Sequence, residues 1–214
     1  MSSAEHADVE PQRSRVPNRW GEGQRLRQEI LDAAARLLDE AGSPDEISLR
    51  AIARGAGVTA PAIYKHFRDK AELMWTLLDD VYASLAEIIR SAQRSAPASD
   101  PWVGLRTSVD AYCRFATDEP RRYDLLFRIA PSLPPSTELA HHPMHQVLEA
   151  WRAAVTPYLT VAVGADAARC DQVAKLLWTS LHGQLALWWN LSGVPVSELE
   201  ELRDSLLREF FGRC

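Results

Sequence analysis

Apolar residues recur at intervals of three and four positions along most of the chain, and this period is typical of amphipathic α-helices. In the first such stretch, Ile30, Ala34, Leu37 and Leu38 share one face of a helix predicted over residues 23–41. Strand-like alternation does not rise above noise, and the pattern therefore predicts an all-α protein of about nine helices. They cover residues 23–41, two short segments between 48 and 67, and residues 69–94, 101–117, 121–129, 143–163, 166–191 and 197–211, with a bend or break at Pro157.

The stretch from Ser48 to Lys70 has the pattern of two short helices joined by a tight turn, a helix-turn-helix. Gly57 supplies a position where a positive φ angle costs little, as such a turn requires. Thr59 is a good N-cap for the second helix, and Pro61 falls in its first turn, where a missing N–H does no harm. With apolar residues turned inward, the outer face consists of Thr59, Ala60, Tyr64, Lys65 and His66. A small N-terminus followed by Tyr-Lys-His suits the major groove of DNA.

Charge is distributed unevenly along the 214 residues. The formal net charge of −5 does not by itself suggest a nucleic-acid partner. Residues 47–70, however, hold five basic residues against Asp69 alone, and residues 13–27 hold five arginines against Glu22. A locally basic module on an acidic body favours sequence-specific DNA binding with limited non-specific attraction.

These features together resemble the tetracycline-repressor (TetR) family of bacterial regulators. The similarity runs from about Arg25 to Leu78 and includes Ile-Ala-Arg-x-Ala-Gly-Val, Ala-Ile-Tyr-Lys-His-Phe, and the helix entry Asp69, Lys70, Leu73. The resemblance implies a ligand-responsive regulator, by family default a repressor. It implies a homodimer on a palindromic operator in double-stranded DNA, released by an effector. The aromatic residues of the C-terminal half predict that this effector is a small apolar or aromatic molecule. Activation is the alternative to repression, whereas the intact basic set Arg50, Arg54, Lys65 and Lys70 argues against an adaptor that has lost DNA binding.

Lys70 and Tyr64 are the predicted phosphate contacts. Lys70 lies at the start of the fourth helix, where free N–H groups and the helix dipole favour an anion, and the resemblance assigns both residues this role. The alternative is that Tyr64 packs beneath the recognition helix while Lys65 is solvated. The predicted DNA-binding set is completed by residues expected at base edges or the DNA backbone: Arg50, Thr59, Ala60, Pro61, Lys65 and His66.

Changes in composition mark the expected boundaries. Residues 1–22 are polar and predict a disordered arm, whose arginines either lie in a minor groove or form a solvated tail. Residues 23–70 are the predicted helix-turn-helix domain, and the helix over 70–95 links it to a ligand-sensing and dimerisation domain over 96–214. A proline-rich loop occupies residues 130–137 of that domain.

The C-terminal part is rich in aromatic residues, which either fill a bundle core or line a partly hollow apolar cavity. The predicted walls of such a cavity are Trp102, Phe115, Phe127, Trp151, Trp178 and His182. Trp178, His182 and Gly183 resemble the Trp-x-x-x-His-Gly signature of one TetR subgroup, and residues 119–127 fit the same subgroup. His182 either bonds a polar group of the ligand or is a satisfied histidine of the core or an interface.

The last two helices carry apolar stripes. These are Leu177, Leu181, Leu185 and Trp188 on the first, and Leu199, Leu202, Leu206 and Phe210 on the second. Such faces form a four-helix interface across a two-fold axis, or are buried within a monomer. Because one helix-turn-helix rarely suffices for an operator, a homodimer through these helices is favoured.

The residues of the chain also bear on two other classes of protein, metal-sensing regulators and enzymes. His141, His142 and His145 have a spacing that suits one metal ion, so a metal-sensing regulator is the alternative function, and a surface cluster is the plainer explanation. No cofactor is predicted, and the motifs of common enzyme classes do not occur, so an enzyme is not expected. No apolar run suggests a membrane span or a signal peptide, and three widely spaced cysteines fit a cytoplasmic protein.

Overall fold

The computed structural model describes residues 22–129, 142–190 and 195–213. Over these residues the chain forms nine α-helices, one short 3-10 helix and no strand, which confirms the all-α prediction. The helices are α1 Glu22–Ala41, α2 Leu49–Gly55, α3 Ala60–Ile63, α4 Lys70–Ser95, α5 Pro101–Asp118, α6 Pro120–Arg128, α7 Met144–Val163, α8 Ala167–Asn190 and α9 Val196–Phe211, with the 3-10 turn Pro44–Glu46 before α2. The predicted arm up to residue 21 and the proline-rich loop lie outside the described residues.

The helix-turn-helix is built by local capping and one glycine. The Ser48 hydroxyl accepts a hydrogen bond from the N–H of Ala51 at 3.1 Å and so caps α2. Gly57 has φ of 68°, the left-handed conformation expected at the turn. Thr59 occupies the N-cap position of α3 in an extended conformation, but its hydroxyl makes no capping hydrogen bond. That hydroxyl therefore makes no hydrogen bond to the N-terminus of the helix it precedes.

The long helix α4 joins the helix-turn-helix to the rest of the molecule. The Asp69 carboxylate accepts from the N–H of Glu72 at 2.7 Å, and the Glu72 carboxylate accepts from the N–H of Arg68 at 2.6 Å. This is a capping box displaced by one residue at its N-terminal side. Along its length α4 packs chiefly against α5 and α7, burying a stripe that includes Leu77 and Leu85. A movement of α4 would therefore displace both the helix-turn-helix and the C-terminal helices.

Helix α7 continues through Pro157, where a bend or break was expected. Proline has no N–H, so the carbonyl four residues earlier, that of Ala153, loses its helical partner. The Gln93 side chain on α4 supplies the replacement, because its Nε2 donates to that oxygen at 2.6 Å. A tertiary contact thus stabilises the helix at the point where the sequence predicts interruption.

The buried side chains form a continuous core from Ile30 in α1 to Leu207 in α9. The helix-turn-helix and the C-terminal bundle share it, since α1 packs against both α2 and α4. Among the described residues, no helix combines the length and the apolar character needed to cross a bilayer.

Candidate functional site

The outer face of α3 and the residues that follow it is exposed, as the pattern predicted. Ile63 and Phe67 are buried, whereas Tyr64 is 58% exposed and so is not packed beneath the helix. Arg50, Thr59, Pro61 and Lys65 are also exposed, and Ala60 and His66 are half-buried. Backbone hydrogen bonds from His66 and Phe67 to the Ile63 carbonyl extend the helical turn to the end of this segment. The predicted DNA-binding side chains from Thr59 to His66 are thereby held on one short helical segment, whereas Arg50 lies on α2 and Lys70 begins α4.

Lys70 makes a contact that the sequence did not suggest. Its ammonium group donates to the carbonyl oxygen of Ile47 at 3.0 Å, and the side chain is half-buried. In the protein without DNA, Lys70 therefore ties the N-terminus of α4 to the segment that precedes α2. A phosphate contact would have to share or replace this hydrogen bond, and that contact remains a prediction.

Arg27 supports the recognition segment, residues 59–67, from the side that faces the core, and sequence reasoning missed it. Its guanidinium lies 5.0 Å from the centre of the Phe67 ring, and its Nη2 donates to the Thr76 hydroxyl at 3.3 Å. It thus joins α1 and α4 to the end of the recognition segment. Nothing in the local pattern of α1 indicates this contact, because Phe67 is distant in sequence.

A polar network lies within the aromatic core of the C-terminal bundle. Nδ1 of His182 on α8 is 2.7 Å from the Tyr123 hydroxyl and 2.9 Å from the Tyr112 hydroxyl. The two hydroxyls are 3.3 Å apart, and Nε1 of Trp178 donates to the Tyr112 oxygen at 3.2 Å. Two tyrosine hydroxyls, from α5 and α6, therefore converge on one histidine nitrogen of α8, and Trp178 of α8 joins the network through Tyr112. Tyr112 and Tyr123 were not among the predicted residues, although Tyr123 falls in the segment that fits the TetR subgroup.

Burial keeps this network uncharged at neutral pH. It lowers the pKa of His182 to about 4, because the imidazolium form would lose its hydration. The same desolvation raises the pKa of Tyr112 and of Tyr123 above the ordinary phenol value. The core thus presents a neutral imidazole and two neutral phenols.

Five of the six predicted cavity residues belong to this aromatic cluster. The Phe127 ring stacks on the His182 ring at 4.5 Å with 7° between their planes. Trp151 packs edge-on against Tyr112, and Phe115 packs against Tyr123. Trp178 completes the set through its bond to Tyr112.

Trp102 does not join them. It lies in the first turn of α5, about 20 Å along that helix from Phe115 at 1.5 Å per residue. There its ring packs against Tyr158 and Phe211 and lies 5.5 Å from the Arg213 guanidinium. Its large apolar surface packs at the end of the bundle. Periodicity alone cannot distinguish such a packing role from that of a cavity wall.

A separate surface cavity of about 160 Å³ lies between α5 and α9. Its lining includes Asp110, Cys113 and Arg203, and the Arg203 guanidinium is 3.0 Å from the Asp110 carboxylate. Burial raises the pKa of the Cys113 thiol to about 12, so the thiol stays protonated. None of the aromatic residues predicted as cavity walls lines this cavity.

The apolar stripes predicted for dimerisation are largely internal. Leu177, Leu181, Leu185, Leu199 and Leu206 are all buried within the protomer, which is the alternative the sequence left open. A different face of α8 is exposed instead, and it includes Leu176 at 46%, Thr179, Gly183 and Leu187 at 67%; Leu202 on α9 is also exposed, at 43%. A Cβ built on Gly183 would meet no atom within 4 Å, so no part of the protomer packs closely against this glycine.

The histidines weighed as metal ligands do not converge in the described part of the chain. The His142 ring packs edge-on against Trp75 and Tyr82, and its Nδ1 accepts from the N–H of Met144 at 3.2 Å. His145 is 4.0 Å from Glu149, and His141 lies outside the described residues. No group of three or more potential ligands occurs among the described residues, so the metal-sensing alternative is not supported.

Two family models match the chain. The model described as bacterial regulatory proteins, tetR family, matches residues 30–75, which span the helix-turn-helix. The model described as tetracyclin repressor-like, C-terminal domain, matches residues 105–210, which include the aromatic core. Together they cover both parts of the molecule.

Solved structures share the fold over most of the chain. A protein of unknown function from Rhodococcus sp. RHA1 is 26% identical with a TM-score of 0.68, covering 86% of this chain and 94% of that one. A TetR-family transcriptional regulator from Streptomyces coelicolor is 24% identical with a TM-score of 0.62, covering 87% and 98%. The transcriptional regulator FadR from Bacillus subtilis, in complex with stearoyl-CoA, is 14% identical with a TM-score of 0.67, covering 86% and 96%.

Proposed function

Because the chain belongs to the TetR family of DNA-binding transcriptional regulators, and so is not an enzyme, we propose that it is a homodimeric repressor of a palindromic operator. A small apolar or aromatic effector releases it. In this proposal residues 23–70 bind DNA, the helix over 70–95 links, and residues 96–214 sense the effector and dimerise.

The observation that carries the proposal is the exposed outer face of the recognition segment. A tyrosine 58% exposed beside an exposed lysine and an N-cap threonine with an unused hydroxyl offers donors and small surfaces to a major groove. Buried Ile63 and Phe67 hold that face in place from below. Tyr64 then donates to phosphate, and Lys65 and Thr59 reach base edges.

The test is footprinting of the intergenic DNA next to the coding sequence. We expect one protected site with two-fold symmetry, whose half-sites lie about 34 Å apart or a multiple of that. Lys65→Ala should change the base preference within each half-site. Protection no better than that of random duplex would refute the proposal, and activated transcription from the bound promoter would refute the repressor role.

The second copy is proposed to dock on the exposed face of α8. Leu176 and Leu187 are large apolar residues left in solvent, and Gly183 lies between them on the same side of the helix. Where two helices cross at a glycine, their backbones approach closely and flanking leucines pack across the axis. Leu202 of α9 extends this surface, so both helices named from the sequence contribute, through faces other than the buried stripes.

Light scattering on matched variants tests this interface. Leu176→Glu combined with Leu187→Glu should give a monomer at micromolar concentration with unchanged helical content. Val161→Glu combined with Val163→Glu is the control, because these valines are 79% and 71% exposed but lie at the end of α7. A dimer that survives the leucine changes, or is lost with the valine changes, would refute the assignment.

We propose that the effector releases the protein from DNA by displacing α6. Tyr123 belongs to the His182 network, and the two residues before it contact the DNA-binding side of the molecule. Arg122 donates to the Ser84 hydroxyl on α4 at 2.8 Å, and Arg121 is 3.7 Å from Asp39 on α1. An effector that displaces Tyr123 therefore shifts a helix in contact with both α1 and α4, and so changes the spacing of the two recognition segments.

A further inference from the structure

Resting on the proposed function, we infer that the effector is an uncharged, flat, mainly apolar molecule with a hydrogen-bond acceptor, such as a carbonyl oxygen, which the Nε2–H of His182 binds. The inference depends on the hydrogen positions that the network permits, on the charges around it, and on a second donor left over in the same cluster.

Counting hydrogens identifies the protonated nitrogen of His182. If Nδ1 accepts, a chain satisfies every group: Trp178 donates to Tyr112, Tyr112 to Tyr123, and Tyr123 to Nδ1 at 2.7 Å. If Nδ1 carries the hydrogen, the only acceptors left in the network are the oxygens of Tyr112 and Tyr123. Only one of the two hydroxyls can donate to the other, so the hydrogen of the second buried hydroxyl has no acceptor. A buried donor without a partner loses the hydrogen bond that it makes to water in the unfolded chain, so the first arrangement is favoured and the hydrogen lies on Nε2.

The Nε2–H is then available to a ligand. Within the described part of the chain, each hydrogen bond of His182 involves Nδ1. The ring is half-buried, with Phe127 stacked on one face. A flat ligand that presents an acceptor to the free edge, and an apolar surface to the neighbouring rings, satisfies this donor.

The surroundings of the histidine exclude a charged ligand. Among the described residues, the side chains in ring contact or hydrogen-bond contact with it are Tyr112 of α5, Tyr123 and Phe127 of α6, and Trp178 of its own helix. None of them carries a charge at neutral pH, and burial alone accounts for the lowered pKa of His182. A carboxylate or an ammonium group would lose its hydration here without gaining an opposite charge.

Trp151 supplies an independent second donor. Its side chain is fully buried, its ring packs edge-on against Tyr112, and its Nε1–H has no hydrogen-bond partner among the described residues. Native proteins rarely leave such a group unpaired. Among the described residues, the cluster therefore has a second N–H donor to spare, which again selects a ligand that accepts.

Three probes of nearly the same shape test the inference on the full-length protein. Acetophenone has a carbonyl oxygen, α-methylstyrene replaces that oxygen with a CH₂ group, and benzoate adds a negative charge. Dissociation constants come from titrating the side-chain N–H resonances of tryptophan in ¹⁵N-labelled protein at pH 7.5. We expect acetophenone to bind about fivefold more tightly than α-methylstyrene, the effect of one net hydrogen bond, and benzoate to bind at least tenfold more weakly than acetophenone.

Two variants assign the preference to His182. The amide nitrogen of His182→Gln reaches the position of Nε2, whereas the amide of His182→Asn reaches only that of Nδ1. We expect the glutamine variant to keep part of the acetophenone preference and the asparagine variant to lose it. If neither variant folds, the long-range ¹H–¹⁵N spectrum of histidine in the wild-type protein decides the question, because it shows which ring nitrogen carries the hydrogen.

Several outcomes would overturn the inference. These are a hydrogen on Nδ1, equal binding of acetophenone and α-methylstyrene, benzoate binding as tightly as acetophenone, or no binding of any probe up to about 5 mM. Operator binding by the same samples without a probe is measured in parallel. Failure there refutes the proposed function, whereas intact operator binding with any outcome above refutes only the effector class.

Discussion

Gln93 and Pro157 offer a direct test of how α4 holds α7. The Ala153 carbonyl lacks its helical partner because of Pro157, and Gln93 on α4 donates to it at 2.6 Å. Gln93→Ala removes that donor, and Pro157→Ala restores a backbone N–H four residues after the carbonyl. The two substitutions should therefore not be additive.

The magnitude follows from the exposure of the carbonyl. An intramolecular hydrogen bond contributes about 0.5–1.5 kcal/mol net, and Ala153 is exposed, so water partly replaces the lost donor. We expect Gln93→Ala to lower the free energy of unfolding by about 1 kcal/mol in the wild-type background. After Pro157→Ala, where the helical N–H takes over, the same change should cost less than about 0.3 kcal/mol.

Urea denaturation of the four proteins at one fixed concentration, followed by circular dichroism, measures this cycle. The fixed concentration matters because a dimer's apparent stability depends on it. A coupling energy below about 0.3 kcal/mol is indistinguishable from additivity and would show that the Gln93 contact does not compensate for the proline. A larger loss for Gln93→Ala in the Pro157→Ala background would refute the reasoning outright.

Three further predictions concern function and pH. Tyr64→Ala should lower operator affinity at least tenfold without moving the denaturation midpoint, because the side chain is 58% exposed; unchanged affinity in a gel shift contradicts its phosphate contact. Lys70→Ala should reduce the slope of log affinity against log salt concentration for operator binding by about one unit. It should also lower the free energy of unfolding by about 1 kcal/mol, because the hydrogen bond to the Ile47 carbonyl is lost. Equal slopes for the variant and the wild type would contradict a phosphate contact of Lys70. The folded pKa of His182, about 4, lies below the unfolded value of about 6.5, so the unfolded chain binds the proton first as the pH falls. The free energy of unfolding should therefore be full above about pH 6.5 and decrease towards pH 4, by up to about 3 kcal/mol. His182→Gln should flatten this pH dependence, and an equal slope in both proteins would contradict the buried neutral imidazole.

Much of the architecture follows from local rules in the chain. The bounds of α1, α4, α5 and α9 lie within one or two residues of their predicted positions, because periodic apolar faces and capping residues are properties of neighbouring positions. The helix-turn-helix followed in the same way from Gly57 and the residues around it. The family followed from the ordered matches over this segment.

The tertiary structure decided what depends on contacts between distant residues. Periodicity states that a helix has an apolar face, but it does not state what covers that face. For this reason the leucine stripe of α8 proved to be core, and the exposed residues around Gly183 were not foreseen. Trp102 lies apart from the other predicted aromatics for the same reason, since distance along a helix separates residues that composition groups together.

The chain by itself determined the helices, the DNA-facing segment and the concentration of aromatic residues, since each is encoded within a few turns of sequence. Only the packing of α5, α6 and α8 determined that the Tyr112 and Tyr123 hydroxyls meet at Nδ1 of His182 and that the Trp178 N–H reaches Tyr112. Hydrogen bonds require atoms within about 3 Å, and residues 59 to 70 positions apart reach that distance only through the fold. The chemistry of the sensor core is therefore a property of the tertiary structure.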